Sequence, residues 1–153
     1  MKNIFLFIIS LFASFSFFGQ SQMLNGISID GPRGFEKSAE LTWTKGNDLV
    51  NVMSIKGFLS QDDYEAECKK GSRTTEYLGS QKIEINGEEY ILCIQMGDND
   101  LLIGQAVVFR EKHSYVITVG TYPGDYESSE RIDKSYGQIG YMMGYMITRI
   151  KTF

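Results

Sequence analysis

The chain has 153 residues, 42% of them hydrophobic and 22% charged, with a formal net charge of −4. That size and apolar content suit one folded domain rather than a disordered or fibrous chain. The acidic balance argues against the basic stripe that a nucleic-acid partner requires, and two cysteines with a single histidine exclude a structural zinc set.

Met1-Lys2-Asn3 is a short basic segment, Ile4 to Phe18 is an apolar run with interspersed serines, and Gly19 is a small residue before a polar stretch. This order is that of a secretory signal peptide. It places a leader over 1–19 and one domain over 20–153, with no repeat, low-complexity tract or interdomain linker in it. The apolar run is shorter than the roughly 20 residues of a comfortable membrane span. Phe17 is not the small residue that cleavage after Gly19 prefers, so an uncleaved anchor is the alternative. No cysteine lies near the junction to carry a lipid. Cleavage implies an exported protein, periplasmic or secreted, without a stable membrane span.

Gly26-Ile27-Ser28-Ile29-Asp30 reads as a short alternating strand, and Gly31-Pro32-Arg33-Gly34 turns the chain so that Phe35 returns to the core. Glu40 to Lys45 and Leu49 to Ile55 read as a hairpin over Gly46-Asn47-Asp48, with Trp43 as a core anchor. Ser60-Gln61-Asp62-Asp63 has the form of a capping box, and Lys69, Lys70 and Gly71 suit a helix end, which predicts a short helix over 61–70 with Tyr64 and Cys68 inward. Tyr77 to Ile85 is a further strand, and Asn86-Gly87 is a strong hairpin signal.

Glu88 to Tyr122 organises the rest. Glu89 to Met96, Leu101 to Phe109 and Ser114 to Thr121 are short, apolar, rich in β-branched and aromatic residues, and separated by turn residues. They predict an antiparallel meander. Its strands are apolar on both faces, so both faces need cover. Gly104, Ala106, Thr118 and Gly120 are expected to form a small-residue face that a helix can approach closely.

The closing segment predicts that cover. Ile132, Tyr136, Ile139, Met143, Met146, Ile147 and Ile150 share one stripe at helical spacing, with Asp125 as a candidate cap. Gly137, Gly140 and Gly144 weigh against a continuous helix, and a helix ending near Gly140 followed by a strand from Tyr145 to Ile150 is the alternative. Tyr141 and Tyr145 fall opposite the stripe, beside Gly137 and Gly144. Tyrosine joins a large apolar area to a polar tip, so this side is a candidate surface for a protein partner or for self-association. Cover by Gln20–Asn25 of the same chain is the competing expectation.

The stretch Gly26 to Phe35 resembles the opening of the PsbP-like fold family, which begins with a similar glycine, strand, proline turn and aromatic, the last often tryptophan where Phe35 stands. The later order of hairpin, short helix, meander and closing helix is similar too. The resemblance implies an α+β fold with an antiparallel sheet of about six to seven strands between helices, an α/β/α sandwich. It implies mostly non-catalytic binding or assembly roles, and it maps no functional residue or cofactor onto this chain.

Residue chemistry adds little to that. His113 stands between two strands without a nucleophile beside it, Asp98-Asn99-Asp100 lacks the glutamate and spacing of a calcium loop, and no glycine-rich phosphate loop opens a helix. No catalytic residue, metal ligand or cofactor site is therefore assigned. A small carboxylate-dependent hydrolase using Glu84, Glu88 or Glu89 is the alternative to a non-enzymatic exported binding protein. Cys68 and Cys93 are either bridged, which an oxidising compartment permits, or two separate buried thiols.

Overall fold

The computed structural model describes residues 22–56, 60–110, 112–124 and 128–151. The leader and Asp125 lie outside the described residues. The elements are β1 (Gln22–Leu24), β2 (Ile27–Ile29), β3 (Glu36–Ala39), β4 (Thr42–Lys45), β5 (Asp48–Lys56), α1 (Gln61–Lys70), β6 (Thr75–Ile85), β7 (Glu88–Gly97), β8 (Leu102–Arg110), β9 (His113–Thr121) and α2 (Ser129–Lys151). β1 and β2 form a separate two-stranded hairpin, and the other strands form one sheet in the order β3-β4-β5-β9-β8-β7-β6. Every neighbouring pair is antiparallel. The fold is α+β, a seven-stranded antiparallel sheet flanked by two helices, as in an α/β/α sandwich.

The double apolar character of the meander is explained by two separate cores. Alternate residues of β7, β8 and β9, among them Leu92, Ala106, Val108, Tyr115 and Ile117, meet α2. The intervening residues Ile91, Cys93, Val107 and Val116 meet Tyr64 and Cys68 of α1.

The expected small-residue face is corrected by the register. Gly104 and Ala106 do face α2, but Thr118 stands opposite Gln105 and Gly120 opposite Ile103. Directly opposed residues share a face, so Thr118 and Gly120 point to the α1 side. Gly104 alone carries the close approach: a Cβ there would lie 2.5 Å from Ile139 Cγ2 and 3.1 Å from Val119 Cγ2.

α1 begins as its capping box dictates. The Asp63 amide donates to Ser60 Oγ at 3.1 Å, and that hydroxyl donates to Asp63 Oδ2 at 2.6 Å. α2 is helical through Lys151, so no strand forms from Tyr145 to Ile150. Ser128 stands at its start, accepting from the Arg131 amide at its hydroxyl (3.4 Å) and from the Ile132 amide at its carbonyl (3.1 Å). Ile139, Met142, Met143, Met146, Ile147 and Ile150 are fully buried. At about 1.5–3 kcal/mol each, their burial outweighs the roughly 2–3 kcal/mol that three interior glycines cost. The expected stripe is corrected at one border, where Tyr136 is 39% exposed and Met142 takes the inward place.

Candidate functional site

A cleft of about 580 Å³ opens where the first half of α2 crosses the end of the sheet. Its floor is a row of cross-strand neighbours: Lys45 of β4 opposes Asp48 of β5, and Asp48 opposes Thr121 of β9. Asp48 is held from two sides. Thr121 Oγ1 donates to its Oδ1 at 2.7 Å, and Gln138 Nε2 of α2 donates to its Oδ2 at 2.8 Å. One wall is α2, where Arg131, Lys134 and Gln138 share a side at helical spacing. Tyr122 and Pro123 form an apolar flank, and burial pushes the Tyr122 phenol above its usual range, so its hydroxyl keeps its proton at neutral pH. Among the described residues, three cations and one carboxylate thus line the cleft. Among the described residues none of Lys45, Arg131 and Lys134 is in an ion pair. The helical half of this set is visible in the sequence as Arg131, Lys134 and Gln138. The other half comes from a hairpin far away in the chain, which no local pattern announces.

The outer side of α2 is the second candidate. Tyr141 is 54% exposed. A Cβ placed on Gly137, Gly140 or Gly144 would meet nothing within 4 Å. These four residues form a strip along the helix on which the backbone itself is open. Tyr145 lies at its border: it is partly buried against the main core, and the Arg149 guanidinium stands 5.2 Å from its ring centre. The described part of the segment expected to cover the tyrosines leaves Tyr141 open, although its Leu24 packs on the same core as Tyr145; the Gln22 and Asn25 side chains bond elsewhere. Gln22 of β1 holds the β3–β4 turn through Leu41 N at 2.8 Å, and Asn25 donates to Ser54 at 2.6 Å.

The carboxylates of the enzyme alternative sit at the exposed β6–β7 hairpin, remote from the cleft lining. Glu84 opposes Glu89, Glu89 Oε1 is 2.6 Å from Lys82 Nζ, and Glu88 accepts from Tyr90 Oη at 3.3 Å. Among the described residues no group of three or more His, Cys, Asp and Glu is placed to hold a metal ion. Asp98–Asp100 is a short 3-10 turn. His113 opens β9 opposite Arg110 and Lys56 rather than lying between strands. The Cys68 and Cys93 sulfurs are in bonding contact with Cα atoms 6.5 Å apart, joining α1 to β7, and Gln95 Nε2 lies 3.6 Å from Cys68 Sγ.

No family model and no curated protein matches the chain. A solved structure from Pseudomonas aeruginosa, described as a protein of unknown function and putative regulator, is similar over 78% of this chain and 95% of its own, at 17% identity and a TM-score of 0.41. Among the described residues no helix is long and apolar enough to cross a membrane.

Proposed function

We propose that this is a non-enzymatic exported binding or assembly protein of the PsbP-like type, and that the outer face of α2 is its contact surface for a protein partner. The observation that carries the reading is Tyr141, 54% exposed on a helix whose inner face is fully buried. A face that only meets water more usually carries Lys, Glu or Gln. Here an aromatic stands among glycines that leave the backbone open to close approach. Exposed aromatics of this kind are enriched at interface centres, where they insert into a partner's pocket. A partner helix can lie along the glycines with Tyr141 as its anchor, while Tyr145, fixed beneath Arg149, forms the rim. Export rests on the basic and apolar order of residues 1–19. The family likeness rests on the Gly26–Phe35 stretch and the order of elements after it.

Affinity capture from the cell envelope, run in parallel with wild type and Tyr141→Ser, tests this. The expected result is a retained partner that the variant loses while its melting temperature stays unchanged. Identical captured sets with both baits would contradict the reading, and a new equilibrium between monomer and dimer abolished by Tyr141→Ser would make the partner a second copy.

A further inference from the structure

We infer that the cleft between the β4–β5 turn, the end of β9 and α2 is a binding site for a small organic anion bearing at least two negative charges. This inference is independent of the α2 outer face. It starts from an imbalance: the chain carries a formal net charge of −4, yet among the described residues the cleft lining carries Lys45, Arg131 and Lys134 against one carboxylate, Asp48. Like charges gathered on one concave surface repel unless an anion joins them, and a cleft focuses their field toward its mouth.

Asp48 offsets one of these three charges, which leaves the described lining with an excess of two positive charges. Its two oxygens are taken by Thr121 Oγ1 at 2.7 Å and Gln138 Nε2 at 2.8 Å, which ties the sheet to α2 and makes the carboxylate part of the frame. The cations stand around that frame from two directions, Lys45 from the sheet and Arg131 with Lys134 from the helix. Such a divergent set suits a ligand with charges at two separated points. Arg131 supplies a planar fork that matches a carboxylate or a phosphate, and the lysines supply point charges.

Size sets the remaining terms. About 580 Å³ is far more than an inorganic ion occupies and lies within the range of small-molecule sites. Tyr122 and Pro123 give the non-ionic part of a ligand an apolar flank, with the tyrosine hydroxyl as a donor. The carboxylate and phosphate-ester classes share the required chemistry, and the experiment separates them.

The test is isothermal titration of the protein with citrate, ribose 5-phosphate and, as the neutral control, ribose. Saturable binding of one anion and none of ribose is expected, weakening as salt is raised because exposed charges are screened. Arg131→Gln with Lys134→Gln should weaken that binding at least about tenfold, the effect expected when two charge-assisted contacts are lost. Lys82→Gln, on the far edge of the sheet, should leave it unchanged. Amide shift perturbations in the wild type should centre on Thr121 and Gln138, which keeps the inference testable if the double variant folds poorly. Absence of saturable binding of either anion at millimolar concentration would overturn it. So would a loss that Lys82→Gln reproduces, or perturbations centred elsewhere.

Discussion

The side-chain amide of Gln61 donates to the Val107 carbonyl at 3.2 Å, and its oxygen accepts from the Ile91 amide at 3.3 Å. The relationship repairs a gap. The β7–β8 ladder runs from Cys93–Gln105 to Met96–Leu102, and Ile91 and Val107 lie beyond its end. The first residue of α1 thus supplies the hydrogen bonds that the strands no longer give each other, and it fixes the helix on the sheet at the same point.

Gln61→Leu keeps the bulk of the side chain and removes both bonds. Leaving two backbone groups without this partner should cost about 1–3 kcal/mol. Urea denaturation measures it. A midpoint equal to that of wild type would mean that water replaces Gln61 without loss.

Close approach at Gly104 gives a second expectation. Gly104→Ala places a methyl group 2.5 Å from Ile139 Cγ2, and overpacking of this kind costs about 1–3 kcal/mol. Ile139→Ala alone should cost about 2–5 kcal/mol through the cavity it leaves. The double variant should be less destabilised than the two costs added, since the new methyl enters the space vacated. Strict additivity in a double-mutant cycle would show that Gly104 does not set the position of α2.

Much of this architecture is legible in the sequence, and the exceptions have physical reasons. The meander shows because its strands are apolar on both faces. α1 shows because Ser60 and Asp63 carry the capping chemistry themselves. α2 survives its glycines because its inner stripe is buried. β1 is different: Asn25-Gly26, with φ of 52° and 81°, makes the same kind of turn as Asn86-Gly87 and carries the same signal, but Gln22-Met23-Leu24 is too short to read as a strand. β3 is Glu-Lys-Ser-Ala, an edge strand without apolar alternation, held by its pairing to β4. The pairing of β5 with β9 and the gathering of Lys45 with Arg131 arise from long-range topology, on which local periodicity is silent.

Joining α1 to β7 through Cys68 and Cys93 closes a loop with a sequence separation of 25. A bridge of that span contributes about 3.5 kcal/mol by restricting the unfolded chain. Alkylation of the unreduced, denatured protein should add no mass, alkylation after reduction should add two labels, and reductant should lower the urea midpoint. Two labels without reductant would show free thiols.

Alkaline stability should report on Tyr64. Its hydroxyl is buried without a hydrogen-bond partner among the described residues, and burial holds its phenol well above the ordinary tyrosine value. The folded state therefore keeps a proton that the unfolded chain releases at about pH 10. Stability from this group is complete below that pH and falls as pH rises above it. Tyr64→Phe should be more stable by about 1 kcal/mol at neutral pH, because an unpaired hydroxyl leaves the core. Its decline above about pH 10 should also be shallower, with Tyr90 and Tyr122, likewise raised by burial, accounting for the slope that persists. Parallel decline in the two proteins would contradict the assignment.

On the proposed reading α2 has two working faces, one holding the sheet and one open to a protein partner. A photo-crosslinking residue placed at Tyr141, with a second protein carrying it at Glu84 on the exposed β6–β7 hairpin, tests this in the cells that make the protein. A discrete protein adduct is expected from position 141 and none from position 84. No adduct at 141, or the same adducts from both positions, would contradict it.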